Sequence, residues 1–366
     1  MTGGRFPTHE AEERLQAARE RGVESVRLHG TPAPPLPGHV VEAVAAALAR
    51  MTPAPPPRGL SELRSLLAEV VGRTGRAVDP EHELVVTNGA MHALALVFRA
   101  LLEPGDEVVV PAPCFFFSGP ILAPGGRPVY VGSTAEQGWG WDPAAIERAV
   151  GPRTKALLLC NPGNPTGHVP GPEEVEAVAA VARRHDIVLV ADEAYEASLW
   201  EATLHSAFPL VEQALLVRSL GKSLSMPHLR LGLVAGPRPL VDRVATALEW
   251  DVLRVGVAPQ AAAVAILEGP QEWLREVHAT LAADREAALA AVDGRLAVVP
   301  PRGGPFLFVS SGEDGLGDAL VEAGLPVVDG RHFQAPGWAR LPVGGASSEA
   351  DALERALDAS FPRRTA

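Results

Sequence analysis

The sequence predicts an α/β protein in which a mainly parallel, seven-stranded sheet is sandwiched by helices and accompanied by a smaller α+β domain. Between residues 83 and 235, short apolar runs recur without polar alternation, which indicates strands buried on both faces. Helical stretches separate these runs, as the crossovers of a parallel sheet require. Polar clusters follow the runs, where ligands bind in such sheets. They come after residues 86, 110, 160, 191 and 217.

The segment before the sheet is expected to hold helices and one strand. Residues 9–21 are charged and predict a short N-terminal helix or arm, while residues 23–29 have the composition of a strand. Residues 40–50 are alanine-rich and amphipathic and residues 60–72 resume that pattern, so both are predicted helices. Between them, residues 52–58 contain four prolines, which predict a loop with a restricted backbone.

Seven apolar runs are assigned to the large sheet. They are residues 83–86, 107–110, 128–131, 154–160, 187–191, 215–217 and 231–235. After residue 259 the pattern turns helical, with a long segment at about 271–292, and three more strand-like runs follow. These runs are residues 296–299, 303–308 and 326–329. We therefore expect an N-terminal arm with part of the small domain (1–38), a large domain (39–265) and a small C-terminal domain (266–366).

Composition and charge exclude several classes of function. The 366 residues are 47% hydrophobic and 21% charged, as in an ordinary globular protein. The 32 basic and 44 acidic residues give a net charge of −12, which disfavours nucleic acid and anionic membranes as partners. Cys114 and Cys160 form neither a disulfide framework nor a metal-ligand spacing, and the eleven histidines are scattered. No metal site is predicted.

The N-terminal sequence and the hydropathy pattern predict a cytoplasmic location. The first 22 residues are polar and charged, and they lack the apolar core of a signal peptide. No apolar run approaches the roughly 18 residues needed to span a membrane.

One lysine requires an explanation. Lys222 lies between the apolar runs 214–217 and 231–235, where desolvating its amine is costly unless the amine is used. It could be a surface-loop lysine. A phosphate-binding loop is rejected, because that motif needs glycine where Leu216 stands. The remaining interpretation is a Schiff-base lysine that condenses with the aldehyde of pyridoxal phosphate (PLP), with Arg230 on the cofactor's phosphate.

Three motifs supply the partners that a Schiff-base lysine needs. They are Asn-Pro-Gly-Asn-Pro-Thr-Gly at residues 161–167, Asp-Glu-Ala-Tyr at residues 192–195 and the block from Ser219 to Arg230. In this order and at these intervals, the chain resembles the fold type I PLP-dependent aminotransferases of class I/II over about residues 30–361. The resemblance implies the PLP-dependent transferase fold, with the cofactor bound by the large domain.

The resemblance also assigns the groups around the cofactor's ring. Asp192 would pair with the ring nitrogen, because a carboxylate within about 4–6 Å favours the protonated ring that PLP catalysis needs. Its alternative is a helix N-cap. Tyr195 and Asn164 would donate to the ring oxygen, although Asn164 could also act as a turn residue before Pro165. With Lys222, Asp192 and Tyr195 form the expected catalytic set.

The cofactor's phosphate is expected at a junction between a strand and a helix. There, the free backbone N–H groups of Gly89, Ala90 and Met91 and the helix dipole favour an anion. Ser219 and Arg230 would add a hydroxyl and a guanidinium.

An aromatic residue is expected to stack on the cofactor's ring. Phe115 matches that place, but Phe116 and Phe117 are its neighbours, and at least two of the three are interpreted as core residues.

The substrate's carboxylate is expected to bind an arginine, because guanidinium groups hold carboxylates bidentately. The resemblance points to Arg340, with Arg331 as the competitor. It adds Gly30 and Asn164 as substrate contacts, and Arg254 as a residue that reaches the substrate side chain from the other subunit. For Arg254 the alternative is a solvated surface position.

Three departures from the family pattern leave the substrate and the reaction type open. A tyrosine that often contacts the partner subunit's phosphate is replaced by the loop at residues 53–57. His228 stands where glycine is usual, and Val257 stands where a hydroxyl residue is common.

These features predict a homodimeric PLP-dependent aminotransferase with its active sites at the subunit interface. It would move an amino group between an amino acid and a 2-oxo acid by ping-pong chemistry. The alternative is elimination, replacement, cyclisation or decarboxylation of an amino acid by the same cofactor. A DNA-binding regulator is disfavoured because the resemblance starts almost at the N-terminus. A dinucleotide dehydrogenase is disfavoured because Gly315 and Gly317 lack a third glycine.

Overall fold

The computed structural model describes residues 6–50 and 54–363, without the side chain at 359. Two parts of the sequence-based interpretation therefore lie outside the described residues: the start of the proline-rich loop and the ends of the two terminal segments. The described strands are β1 (Leu84–Thr87), β2 (Glu107–Ala112), β3 (Arg127–Gly132), β4 (Thr154–Cys160), β5 (Val188–Asp192), β6 (Ala214–Arg218), β7 (Gly232–Ala235), β8 (Ala297–Val298), β9 (Phe306–Ser310), β10 (Val328–Asp329) and β11 (Trp338–Pro342).

The helices lie before, between and after these strands. They are α1 (Pro7–Glu20), α2 (Gly38–Arg50), α3 (Ser61–Gly72), α4 (Ala90–Leu101), α5 (Ser118–Leu122), α6 (Pro143–Ala149), α7 (Pro172–Arg184), α8 (Leu220–Ser223), α9 (Arg238–Val252), α10 (Val257–Glu268), α11 (Glu272–Val292), α12 (Leu316–Glu322) and α13 (Ala350–Ser360). None of these helices is long and apolar enough to cross a membrane.

The large sheet has the order β1-β7-β6-β5-β4-β2-β3. Strands β2 to β6 pair in parallel with their neighbours in that group, whereas β7 is antiparallel to both β1 and β6. The predicted mainly parallel, seven-stranded sheet flanked by helices is confirmed. The burial of every residue in β1, β6 and β7 accounts for their unbroken apolar runs.

This topology brings the polar clusters of the sequence to one edge of the sheet. Since β7 runs antiparallel to both β1 and β6, strand β1 points in the same direction as β2 to β6. The carboxyl ends of β1, β2, β4, β5 and β6 therefore face one side, and the polar segments that follow them are brought together there.

A smaller antiparallel sheet has the order β10-β11-β9-β8 and contributes to a second hydrophobic core. Helix α11 connects the two cores, because Leu274 packs in the core of the large sheet and Leu281 packs in the second core. The domain boundaries proposed from the sequence remain a prediction.

Two local predictions about strands were wrong. Residues 23–29 form no strand; they are extended chain held by one bridge between His29 and Gly344, outside the strands of the small sheet, and by a hydrogen bond from the Val26 N–H to the Gly324 carbonyl. Strand β11 was not predicted. Its five residues include an arginine and a proline, so its composition did not mark it as a strand, although it pairs with β10 and β9.

Candidate active site

A cavity of about 810 Å³ lies where the strand ends meet. Loops that follow the large sheet form one side, and helix α1 and strands β9 to β11 form the other. Most residues singled out from the sequence line this cavity. They are Gly30, Ala90, Met91, Phe115, Asn164, Asp192, Tyr195, Ser219, Lys222, Arg230 and Arg340.

Lys222 reaches the cavity from helix α8, directly after β6. Its Nζ donates a hydrogen bond of 2.6 Å to the hydroxyl of Thr31 and lies 5.6 Å from the ring centroid of Tyr195. Burial, assisted by the positive charges of Arg340 and Arg230, lowers the pKa of Lys222 to about 8. A neutral, nucleophilic amine is therefore accessible near neutral pH.

Asp192 is the last residue of β5 and lies beside Cys160 in the sheet register. Its side chain is buried, and its carboxylate accepts a hydrogen bond of 3.1 Å from the Ala194 N–H. Burial raises the pKa of Asp192 to about 7, against the lowering effect of that hydrogen bond. This carboxylate is available to a cationic group in the cavity.

An anion cradle lies at the N-terminus of helix α4. Gly89 has a φ of +83°, and a Cβ atom built on it would lie 2.9 Å from the Arg230 guanidinium. Only glycine fits there, so the first N–H groups of α4 and the Arg230 guanidinium can lie close together and bind the same anion. Arg230 itself is in the left-handed region, and Ser219 is buried nearby at the start of α8. The arrangement fits a phosphate group.

Arg340 extends from β11 into the cavity and is buried. Its Nη1 donates a hydrogen bond of 3.1 Å to the Asn164 Oδ1, whereas its Nε is buried without a partner. Burial lowers the pKa of Arg340 to about 10, opposed by Tyr195. The competitor Arg331 is largely exposed and pairs with Asp329 at 2.9 Å. Arg340 is therefore the arginine that can receive a carboxylate in this cavity.

The whole chain matches proteins of known family. The model of the family "Aminotransferase class I and II" matches residues 30–359. The aspartate/prephenate aminotransferase of Thermus thermophilus is 36% identical over 355 residues, which cover 93% of this chain and 91% of that protein. The structure of the T. thermophilus aspartate aminotransferase with maleate superposes with a TM-score of 0.90 at 33% identity, over 96% of each chain. This chain belongs to the class I and II aminotransferases.

The protein is therefore an enzyme, a PLP-dependent aminotransferase of fold type I, as the three sequence motifs predicted. A second solved relative, the aspartate aminotransferase from Rhizobium meliloti, gives a TM-score of 0.91 at 25% identity over 100% of this chain and 98% of that one. The alternative of elimination, replacement, cyclisation or decarboxylation is not favoured, because these relatives are aminotransferases.

The donors in this aminotransferase suit PLP. The cradle beside Gly89 fits a phosphate, and the unpaired carboxylate of Asp192 fits a protonated ring nitrogen. Lys222 provides the amine between them. Across residues 6–50 and 54–363, no group of three or more His, Cys, Asp or Glu side chains could hold a metal ion.

Two residues selected from the sequence do not line the cavity of this aminotransferase. Gly89 lies behind Arg230 and acts through its lack of a side chain. Arg254 lies outside, where its Nη1 donates a hydrogen bond of 2.9 Å to the Pro55 carbonyl. Its proposed role in the site of another subunit remains a prediction.

The three neighbouring phenylalanines after β2 have different environments. Phe115 lines the cavity, whereas Phe117 is completely buried in the core of the large sheet. Phe116 packs at the small sheet, with its ring centroid 5.0 Å from that of Phe333. Phe115 is therefore the ring available to a cofactor.

Sequence reasoning missed several residues of the aminotransferase site. Thr31 accepts the hydrogen bond of Lys222, and Cys160 and Phe306 line the cavity. Helix α1 also contributes to the wall, although the sequence analysis predicted a short helix or arm there without a role in the site. Thr31 directly follows Gly30, which the resemblance assigned to the substrate, so this neighbour was the one local signal that could have found it.

Proposed function

We propose that this aminotransferase carries PLP on Lys222 and transfers an amino group between an amino acid and a 2-oxo acid by ping-pong chemistry. Two groups that lie in one cavity carry the proposal. The amine of Lys222 has a lowered pKa, and the buried carboxylate of Asp192 has no ion-pair partner in the described chain. The sequence contains two lysines, and the other, Lys155, is an exposed residue of β4.

The residues around the cavity have complementary proposed roles. PLP, when bound, supplies an electron sink that makes the substrate Cα–H bond acidic. Asp192 would hold the ring nitrogen in its protonated form, Tyr195 and Asn164 would donate to the ring oxygen, and Phe115 would stack on the ring. The proposed phosphate ligands are Gly89, Ala90, Met91, Ser219 and Arg230.

Lys222 would also move the proton in the reaction. Once its amine is released, its lowered pKa makes the neutral form accessible near neutral pH, and this form would take the proton from the substrate Cα and return one to the cofactor C4′. Arg340 would hold the substrate carboxylate, with Gly30 and Asn164 beside it, so that the Cα–H bond has a fixed orientation. The same groups would receive a 2-oxo acid in the second half of the cycle.

The test compares Lys222→Ala with Lys155→Ala after both are saturated with PLP. The Lys222 variant should lose turnover and the visible absorption of the bound cofactor, because no other lysine lies in the cavity. The Lys155 variant should keep both. Borohydride reduction followed by peptide mass spectrometry should place the label on residue 222. Wild-type turnover in Lys222→Ala would rule out the proposal.

We also propose a homodimer with active sites at the subunit interface. Trp250 is 88% exposed and Leu253 is 65% exposed, which is unusual for large apolar side chains without a partner. Leu253 has a φ of +62° and directly precedes Arg254, so the segment is held in a strained backbone conformation. Sedimentation of the PLP-bound enzyme tests the assembly, and a monomer at micromolar concentration would contradict it.

The cytoplasmic location remains a proposal, supported by the free thiols of Cys114 and Cys160, which suit a reducing compartment. Cell fractionation tests it.

Aspartate is the first amino donor to assay, because several relatives are named aspartate aminotransferases.

A further inference from the structure

The part of the cavity beyond Arg340 has an aromatic wall. The Arg340 guanidinium carbon lies 4.3 Å from the ring centroid of Phe306 and 5.8 Å from that of Phe116. Phe6, at the start of α1, meets Phe116 edge-on with a centroid distance of 5.2 Å and lies 6.3 Å from Phe115. Phe306, Phe115 and Phe6 line the cavity, and Phe116 packs behind them, so aromatic rings are present from the arginine to the N-terminal helix.

The remainder of this wall is mostly apolar. Phe6 is 38% exposed and lines the cavity, so it presents a ring that no part of the described chain covers completely. Aliphatic side chains continue the surface around it. They are Leu15, Leu28, Met91, Leu94 and Val328.

The charges that one subunit contributes to the cavity do not provide for a second substrate carboxylate. Within the described chain, the lysine and arginine side chains that line it are Lys222, Arg230 and Arg340. The proposed function uses all three, for the amine, the cofactor's phosphate and the substrate's α-carboxylate. The side chain on α1 that carries charge into the lining is Glu12, an anion. His29 and His228 also line the cavity.

Resting on the proposed function, we infer that the preferred amino donor has a large apolar side chain, above all an aromatic one, and that aspartate and glutamate are disfavoured. An aryl group would replace water along the rings of Phe6 and Phe115. A second carboxylate would be desolvated against apolar walls without a guanidinium or ammonium partner, and it would approach Glu12. The preference for aromatic over acidic amino donors therefore has two sources: the aryl group packs against the apolar wall, and Glu12 repels a second carboxylate.

The experiment uses the PLP-bound enzyme at about pH 8, mixed with one amino acid and no 2-oxo acid. The loss of the cofactor's visible absorption gives kcat/KM of the half-reaction without a dicarboxylate acceptor. Phenylalanine should exceed aspartate by about 100-fold. Calorimetry gives a readout that is independent of turnover, since 3-phenylpropanoate should bind the same enzyme more tightly than succinate.

Variants of α1 separate the two contributions. Phe6→Ala should lower kcat/KM for phenylalanine about tenfold and leave that for alanine unchanged, because alanine does not reach the ring. Glu12→Gln should raise kcat/KM for aspartate about two- to fivefold by removing the repulsive charge. Glu20→Gln makes the same chemical change in the same helix at a residue that does not line the cavity, and it should alter neither value.

Aspartate reacting as fast as phenylalanine, or succinate binding as tightly as 3-phenylpropanoate, would overturn the inference. If Arg254→Ala then abolished that reaction, the missing cation would be located on the partner subunit. A PLP-bound enzyme with normal visible absorption that converts no amino acid would contradict the proposed function and not this inference.

Discussion

Two consecutive carboxylates at the end of β5 are buried in opposite electrostatic environments. Asp192 lines the cavity, and its carboxylate has no ion-pair partner in the described chain. Glu193 is equally buried but pairs with the Arg218 Nη2 at 2.7 Å and accepts a hydrogen bond from the hydroxyl of Ser206. Although burial alone would lower it, Glu196 and Glu193 hold the pKa of Arg218 above its ordinary value.

The difference between the two environments separates Glu193, whose charge stabilises the fold, from Asp192, whose charge is available to a ligand. Arg218, from the chain itself, compensates the buried charge of Glu193, so this ion pair satisfies both groups at the edge of the sheet. It leaves Asp192 uncompensated at a cost in stability, and such strongly perturbed groups in a cavity are characteristic of functional sites. Adjacent residues at the end of β5 thus have separate roles, because Asp192 lines the cavity whereas Glu193 is paired with Arg218.

The largest expected effect is on catalysis at Asp192. Asp192→Asn keeps the shape of the side chain but removes the anion proposed to hold the ring nitrogen, so kcat/KM should fall about a thousandfold. Steady-state assays of the PLP-bound enzyme measure it, with circular dichroism as the control for folding. An Asp192→Asn variant as active as the wild type would show that the Asp192 anion has no catalytic role.

The second effect is on stability at Glu193. Glu193→Gln leaves the Arg218 cation partly unpaired in the interior, which should lower the free energy of unfolding by about 3–4 kcal/mol. Activity per folded molecule should change little. Urea unfolding measures the loss, and Glu193→Gln combined with Arg218→Met should recover part of it. A fully stable single variant would show that the pair contributes nothing to the fold.

The smallest effect is a pH dependence that belongs to Asp192 alone. Its folded pKa of about 7 lies above the usual unfolded value near 4, so its penalty is absent at low pH, grows as the pH rises and is complete above about pH 7. Without cofactor, the wild type should therefore lose about 2–3 kcal/mol relative to Asp192→Asn between about pH 5 and pH 8. Parallel urea curves test this, and a constant difference would mean that Asp192 is charged throughout.

Much of the site could be predicted because it follows from local sequence. Asp192 ends a buried strand, and Lys222, Tyr195 and Asn164 follow such strands within a few residues. An apolar run that ends in polar residues is visible without any structure. Parallel pairing then brings such ends together regardless of side-chain detail. By contrast, the extended chain at residues 23–29 was mistaken for a strand, because its composition does not say whether a partner lies beside it.

The sequence by itself determined the α/β class, the large sheet and the lysine and aspartate at its edge, because these depend on the order of apolar and polar residues along short segments. Only the tertiary structure decided which arginine enters the cavity and which residue receives the lysine's hydrogen bond. Arg340 and Asn164 are 176 residues apart, and Lys222 and Thr31 are 191 apart. Such contacts depend on how the small sheet and helix α1 pack over the large sheet, and no local pattern encodes that packing.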